Sequence, residues 1–352
     1  MGKVIQILSE RNEMTELLLD IDHPIKKAIN YNNISGKVSV GDQLYLNTTA
    51  ANLSLGTGGY HFVIANMAHS CLTMSPGGHG MKLRYTPMQV KVPFVEEENI
   101  SMEHIFNNPL KLTNKLICFG ELHSMVPPLC AFFKYYAGEA IRIAYIMTDH
   151  AALPIQFSNN IAYLKECKLV NATITTGNAF GGDYECVNIY TALQTAALLA
   201  SCDVIIISMG PGITGTSTKY GFSSLEMSFY MDLVFHLGGN CCYVPRISFA
   251  DKRDRHYGLS HHSLTVLGEI LEAPMHLALP IMDKIKLKII MEQLRAANVL
   301  NKHNISLNDG SSIKAAMDYF ALNTSTMGRG IKDDPYFFYS IGAAGRKGLS
   351  LI

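Results

Sequence analysis

Five short apolar runs between residues 115 and 250 constrain the fold of this chain more than any other feature. Each run is aliphatic or β-branched, does not alternate with polar residues, and ends in a polar or glycine-rich turn that usually precedes a helix-like stretch. The runs lie within KLICFG, AIRIAYIMT, ATITTG, CDVIIISMG and NCCYVPRISF. Strands buried on both faces lack alternation, and strand–turn–helix units repeated in order require parallel crossovers. The pattern predicts a doubly wound, mostly parallel α/β sheet with helices on both faces and roughly five strands between residues 115 and 280.

Residues 1–95 have a different pattern. Short apolar runs such as VIQIL and YHFVIAN are separated by turn residues, and the glycine cluster at 56–59 predicts a tight hairpin or bulge. This spacing is typical of a small β-barrel or sandwich. The charged, turn-rich residues 96–114 are interpreted as a linker, and 115–352 as a Rossmann-like α/β domain with C-terminal helices. Within that domain, Asp183 is the predicted N-cap of the following helix.

Composition narrows the class of protein. Lys and Arg together number 29, as do Asp and Glu, so no net charge favours nucleic acid or an anionic membrane. The sequence has neither a signal-peptide core nor an apolar stretch near the ~20 residues that span a bilayer, which predicts a cytoplasmic location. Charged residues make up only 16% of the chain. This share is below the usual ~25% and favours a large core or a homo-oligomer interface.

Polar residues follow the apolar runs, where the carboxyl ends of parallel strands would form one ligand-binding rim. Histidines can transfer protons near neutral pH, and aspartates can orient them. The residues interpreted as catalytic candidates are His123, Asp149, His150, Asp251, Asp254, His256, His261 and His262. Glycines and hydroxyls can cradle an anion that cations then hold. The candidates for binding a cofactor or anion are Gly181, Gly182, Gly210, Gly212, Thr214, Gly215, Thr216, Lys219, Arg246 and Arg255.

Residues 209–221 form the best candidate for an anion cradle. Glycines allow successive N–H groups to point inward, and Lys219 adds positive charge. GPGITG matches G-x-G-x-x-G literally, but no acidic-ended strand follows at the distance that a dinucleotide site requires, and the order of a Walker A motif is absent. Anion binding, dinucleotide binding and a purely structural loop are all open at this point.

Residues 246–262 contain the densest run of reactive side chains. Arginines there can grip a carboxylate or phosphate in a fork. The alternative is a solvated loop whose histidines cap a helix that begins near Ser260. A metal site would need three or four ligands to converge, and neither H-x-x-x-H nor H-E-x-x-H spacing is present. The identity of any cofactor or metal is left open.

Several motifs together resemble an uncharacterised bacterial protein family of Firmicutes and Actinobacteria. They are NTTA with LGTGGYHF (47–62), ELHSMVPP (121–128), GNAFGGDYE (177–185), the Gly/Thr loop (210–221), RISFADKRDRHYGLSHH (246–262) and MGRG (327–330). The resemblance covers nearly the whole chain. It implies a bacterial cytosolic protein and carries no activity, cofactor or catalytic residue with it.

Three functions are consistent with these residues. The favoured one is an enzyme acting on a small anionic metabolite, in its favoured form phosphorylated, at the rim of the parallel sheet. The second is a protein that binds such a metabolite without chemistry and has a regulatory role. The third is a metal-dependent hydrolase that uses the histidine and aspartate residues.

Overall fold

A computed structural model describes residues 1–11, 13–53, 59–71, 77–98 and 103–352. Most of the glycine cluster predicted to form a hairpin, residues 56–58, lies outside these ranges. The chain divides into two compact units, Met1–Glu98 and Asn99–Ile352. Within the segment interpreted as a linker, residues 103–107 are helical, and Gln194 Nε2 donates a hydrogen bond of 2.8 Å to the carbonyl of Ile105.

The described part of the first unit contains a closed five-stranded barrel with the order β1-β2-β3-β5-β4. Its strands are β1 (Gly2–Arg11), β2 (Met14–Asp20), β3 (Lys27–Tyr31), β4 (Gln43–Asn47) and β5 (His61–Asn66). Alternate side chains such as Leu17 and Leu19 point inward and are fully buried. Of the two predicted architectures, the barrel is therefore confirmed. The remaining elements are α1 (Asn32–Ser35), α2 (Thr49–Asn52), the hairpin strands β6 (Gly80–Lys82) and β7 (Val90–Val92), and α3 (Val95–Glu98).

Residues 103–352 contain an eight-stranded, all-parallel sheet with the order β11-β10-β9-β12-β8-β13-β16-β17. The strands of this unit, including the separate antiparallel pair β14 and β15, are β8 (Leu116–Gly120), β9 (Ile143–Thr148), β10 (Ala172–Thr175), β11 (Tyr184–Glu185), β12 (Val204–Met209), β13 (Asn240–Val244), β14 (Ile247–Ser248), β15 (Gly258–Leu259), β16 (His276–Pro280) and β17 (Asn304–Asn308). The five predicted runs are the contiguous central strands β10, β9, β12, β8 and β13. The number predicted for residues 115–280 was too low because β11 and β16 also lie in that range, and β17 follows it at one edge of the sheet.

Helices cover both faces of this sheet, as predicted. They are α4 (Glu103–Asn107), α5 (Val126–Ala137), α6 (Asn159–Glu166), α7 (Ile189–Gln194), α8 (Met227–His236), α9 (His261–Thr265), α10 (Lys284–Ala296), α11 (Ile313–Tyr319) and α12 (Pro335–Leu349). On β8, Leu116 and Cys118 belong to the core formed with α5, α11 and α12. Ile117 points to the other face, where it and Val234 of α8 both approach Gly239. Because the strands are buried on both sides, their sequences do not alternate.

The predicted N-cap at Asp183 is wrong. Helix α7 begins at Ile189, and Asn188 caps it by accepting hydrogen bonds from the N–H groups of Tyr190 and Thr191. Asp183 instead accepts hydrogen bonds from the backbone and side chain of Thr173, at 2.9 and 2.8 Å. The short strand β11 follows Asp183 and delays the helix.

In the part of the chain that the structure describes, no helix combines the length and apolar character needed to cross a membrane.

Candidate functional site

A small antiparallel pair of strands folds the histidine-rich segment back on itself. Ile247–Ser248 pairs with Gly258–Leu259, and the N–H of Ser260 donates a hydrogen bond of 2.9 Å to the carbonyl of Arg246. Arg246 follows the central strand β13 closely. The segment therefore leaves the carboxyl end of the sheet and returns to it, which places residues 256–262 beside that edge.

Ser260 contacts two of three neighbouring histidines. Its Oγ accepts a hydrogen bond of 3.3 Å from the N–H of His262 at the start of α9, and it lies 2.9 Å from Nδ1 of His256. The ring centroids of His256, His261 and His262 are 4.3 to 5.1 Å apart. One ring nitrogen from each lies within 4.8 Å of the other two. These residues are called the three-histidine cluster below.

Two histidines of this cluster have strongly lowered pKa values. Burial lowers the pKa of His256 to about 3, and the nearby guanidinium groups of Arg246 and Arg253 contribute to the shift. Burial likewise lowers the pKa of His261 to about 4, with His262 adding to the effect. Both imidazoles are therefore neutral at pH 7. A neutral imidazole with such a low pKa is a weak proton acceptor but a suitable metal ligand.

Glu121 lies beside the cluster, directly after β8, and is 1% exposed. Its Oε2 accepts hydrogen bonds from the hydroxyls of Tyr243 (2.9 Å) and Ser263, and its Oε1 is 3.5 Å from Nδ1 of His262. Burial alone would raise the pKa of Glu121, but His262, Arg246 and Ser263 together hold it below its ordinary value. Glu121 follows the predicted strand KLICFG but is not among the catalytic candidates above, because a single carboxylate after a strand has no distinctive spacing.

The Gly/Thr loop lies against the same histidines. A Cβ atom at Gly215 would be 3.5 Å from Cε1 of His262, and the ring of Phe222 stacks on His262 with centroids 4.0 Å apart at 11°. Arg255 Nη1 donates a hydrogen bond of 3.0 Å to the carbonyl of Thr216. Two segments separated by about forty residues therefore form one location, called the loop–histidine site below.

The loop itself is a hairpin whose donors are partly used. The N–H of Thr214 donates to Ser223 Oγ at 3.1 Å, and that of Thr216 donates to the carbonyl of Gly221 at 2.8 Å. Gly212 has a φ of +100°, which is accessible to glycine at little cost. Several N–H groups of the loop are therefore already bonded within the protein, and Gly212 supplies its left-handed backbone conformation.

Two further residues of the predicted cradle have local roles. The ammonium group of Lys219 forms an ion pair with Glu269, and the Lys219 side chain is 54% exposed. Gly210 lies against backbone, since a Cβ there would be 2.5 Å from the carbonyl oxygen of Ala152. Lys219 is thus neutralised by a carboxylate, and Gly210 permits a close approach of two loops.

Asp251 is the centre of an arginine network. Its carboxylate accepts a bidentate pair of hydrogen bonds from Arg253, at 2.9 and 2.8 Å. It also accepts one hydrogen bond from Arg246 at 3.1 Å and one from Arg329 at 3.4 Å. The hydrogen bonds from Arg253 hold the pKa of Asp251 well below its ordinary value, although burial acts in the opposite direction. Arg329 also donates to Asp334 at 3.1 Å. Arg329 lies in the MGRG motif of the family resemblance, and no sequence signal assigned a role to it or to Asp334.

A second polar group follows β9. Nδ1 of His150 is 3.5 Å from Oε2 of Glu226, and one ligand atom from each of Asp149, His150 and Glu226 lies within 4.8 Å of the others. Glu226 is buried and accepts hydrogen bonds from Thr148 at 2.5 Å and Tyr230 at 2.9 Å. Burial raises the pKa of Glu226, while the Thr148 and His150 contacts act in the opposite direction. No spacing in the sequence pointed to Glu226.

His123 lies in a different environment. Its Nε2 is 2.6 Å from Ser158 Oγ, and its Nδ1 is 3.1 Å from the hydroxyl of Tyr145. Tyr145 belongs to the core between the sheet and α5. The structure therefore places His123 in a hydrogen-bonded core pocket.

Three other candidates also have local contacts or lie at the surface. The N–H of Gly181 donates to Glu185 Oε1 at 2.5 Å, and that of Gly182 donates to Thr175 Oγ1 at 3.3 Å, within the turn between β10 and β11. Asp254 is exposed at the start of a 3-10 turn.

Fold and site together define a two-unit protein with a parallel α/β sheet and a polar site at the carboxyl ends of its central strands. Over residues 27–345 the chain matches the family described as "Protein of unknown function (DUF3866)", and it belongs to that family. No match was found among the curated proteins.

Proposed function

We propose that this protein is an enzyme that acts on a small anionic metabolite bound at the loop–histidine site. One observation carries the proposal: Gly215 and Phe222 lie directly against His262, so a glycine-rich loop and the three-histidine cluster meet in one place. Ligands of open parallel sheets bind at this edge as a rule.

Arg255 is the residue best placed to hold the anion. It is exposed, and one guanidinium nitrogen donates to the carbonyl of Thr216. Among the described residues Arg255 has no ion-pair partner, whereas Arg246, Arg253 and Arg329 each form an ion pair with Asp251. A guanidinium group offers five N–H donors and can bind a carboxylate or phosphate with two of them. The substrate is therefore assigned a carboxylate or phosphate group.

His261 and His262 are assigned to the reacting end of the substrate. His261 is only partly buried, and its ring lies 4.3 Å from that of His262, centroid to centroid. Together with Arg255, these residues would hold a substrate by its anionic group and present the rest of it to the imidazoles.

The test begins with untagged protein and a panel of phosphorylated and carboxylated metabolites, screened by melting temperature. A ligand at one hundred times its Kd adds about 2.7 kcal/mol to the free energy of unfolding. Each hit is then incubated with the protein and analysed by mass spectrometry for a product. We expect His261→Gln/His262→Gln to lower turnover at least about 100-fold and to retain ligand binding.

Arg255→Ala should weaken binding of the same ligand about 10- to 100-fold, since charged hydrogen bonds contribute about 1.5–3 kcal/mol. Arg295→Ala is the matched control because Arg295 is an exposed arginine on α10. Equal effects of the two arginine variants would contradict the site. A metabolite that binds and stays chemically intact would instead support a non-catalytic binding protein.

A further inference from the structure

The three-histidine cluster contains a nitrogen atom that the protein itself does not satisfy. Nε2 of His261 is buried and, in the described part of the chain, accepts or donates no hydrogen bond. The neighbouring His262 is 5% exposed. Buried polar atoms are nearly always partnered, and exceptions point to an ion or a water molecule. The unpartnered nitrogen of His261 therefore points to a ligand beside the imidazoles.

The outer contacts of the rings agree with this interpretation. Nδ1 of His256 lies 2.9 Å from Ser260 Oγ, and Nδ1 of His262 faces Oε1 of Glu121 at 3.5 Å. Metal-bound histidines commonly use their second ring nitrogen in such contacts with hydroxyl, carbonyl or carboxylate groups. One ring nitrogen from each of the three histidines lies within 4.8 Å of the other two, so the imidazoles can share one ion.

We propose that His256, His261 and His262 bind one divalent transition-metal ion of the Zn²⁺ class, with Glu121 as the carboxylate behind His262. Imidazole suits zinc and its neighbours better than calcium or magnesium. Three protein ligands leave a further position for water or substrate, which is the arrangement of catalytic rather than structural zinc sites.

The cluster of Asp149, His150 and Glu226 is the competing location. Glu226 is already hydrogen-bonded to Thr148 and Tyr230, and the side chain of His150 is 51% exposed. Its two carboxylates would favour a harder cation. These contacts make it the weaker candidate for a transition metal.

The proposed metal site adds a reaction class to the proposed function. Only its role in catalysis rests on that function, and the binding of the ion does not. A metal-bound water loses its proton near neutral pH. Its oxygen would then bond to the phosphorus or carbonyl carbon of an anionic ester, the bond to the leaving oxygen would break, and the proton would end on that oxygen. The reaction class is therefore hydrolysis, with water as the second substrate and no oxidant or reductant required.

The experiment measures metal binding directly, without turnover. Untagged full-length protein is stripped with a chelator, titrated with Zn²⁺ alone, and analysed for metal content; Co²⁺ in place of Zn²⁺ gives visible absorption that reports the ligand geometry. We expect one ion per chain and a tetrahedral or five-coordinate Co²⁺ spectrum. His261→Gln and His262→Gln should each lose that ion, whereas His236→Gln, which removes an exposed histidine of α8, should retain it.

A variant of the carboxylate adds a graded test. Glu121→Gln should weaken Zn²⁺ binding about 10- to 100-fold, the usual cost of changing an outer-sphere partner. A melting curve of each stripped variant separates loss of the ion from loss of the fold. Retention of the ion by folded His261→Gln, its loss from His150→Gln, or no stoichiometric ion in the native protein would each overturn the proposal.

The two proposals fail in different ways. Turnover of an anionic metabolite by metal-free protein would support the proposed enzyme function and contradict the proposed metal site. If the protein binds one Zn²⁺ tightly but no metabolite binds or reacts, the metal site is supported and the proposed anionic substrate is contradicted.

Discussion

His123 and His261 of the three-histidine cluster both have a lowered pKa, but they differ in whether the protein satisfies their ring nitrogens. Burial lowers the pKa of His123 to about 4, as it does for His261. His123, however, has partners at both ring nitrogens, Ser158 at 2.6 Å and Tyr145 at 3.1 Å. Nε2 of His261 is buried and has no hydrogen-bond partner among the described residues.

The difference shows that a lowered pKa alone does not mark a functional histidine. Desolvation acts on any buried imidazole. What separates the two environments is whether the surrounding protein satisfies the ring, because a fully bonded ring stabilises the fold and an unsatisfied one is available to a ligand. This contrast can be tested by substitution.

The largest effect is expected next to the cluster, at Asp251. Asp251→Asn removes the charge that Arg246, Arg253 and Arg329 share, so we expect the free energy of unfolding to fall by about 3–5 kcal/mol. Urea unfolding measures the change. Asp254→Asn, an exposed aspartate three residues away, is the control and should stay within about 0.5 kcal/mol. Similar losses in both variants would contradict the idea that stability near the site comes from this network.

The next effect separates the two kinds of histidine directly. His123→Ala should lower the free energy of unfolding by about 2–4 kcal/mol, because it deletes buried hydrogen bonds and leaves a cavity. His261→Ala, measured on metal-free protein, should change it by less than about 1 kcal/mol, since no hydrogen bond to Nε2 is lost. The comparison fails if His261→Ala is the more destabilising of the two.

The smallest effect is a change in pH dependence. The pKa of His123 in the folded protein, about 4, lies below the ordinary value of 6.5. The unfolded chain therefore takes up a proton first as the pH falls. The stability linked to neutral His123 is complete above pH 6.5 and is lost between 6.5 and about 4.

We expect the free energy of unfolding of His123→Ala to vary less between pH 7 and pH 4.5 than that of the native protein. Urea unfolding at several pH values measures both slopes, with exposed His236→Ala as the parallel control. Identical slopes for His123→Ala and the native protein would show that His123 is not held neutral by its pocket.

Much of the fold could be read from the chain. The non-alternating runs predicted the central parallel strands because burial on both faces leaves a local signature. The edge strands were harder, since β11 has two residues and β17 has a half-exposed pattern. The helix start at Asn188 was missed because Asp183 is an equally good capping residue by type, and only its contacts with Thr173 show otherwise.

The candidate site was only partly predictable. Residues 246–262 drew attention because reactive side chains are dense there, and their meeting with the Gly/Thr loop depends on the order of β12, β8 and β13. The role of Asp251 as a shared partner of three arginines could not be inferred, because Arg329 comes from a segment 78 residues away. Lys219 looked like an anion ligand until its ion pair with Glu269 was seen.

The sequence by itself determined the α/β class, the identity of the central strands and the general edge at which polar residues gather. These properties depend on the hydrophobic pattern within each segment, because that pattern alone sets which of its side chains are buried. Only the tertiary structure decided that His256, His261 and His262 meet while His123 is bonded into the core. Which side chains meet depends on strand order, loop return and competing hydrogen bonds, and these arise from contacts between distant segments.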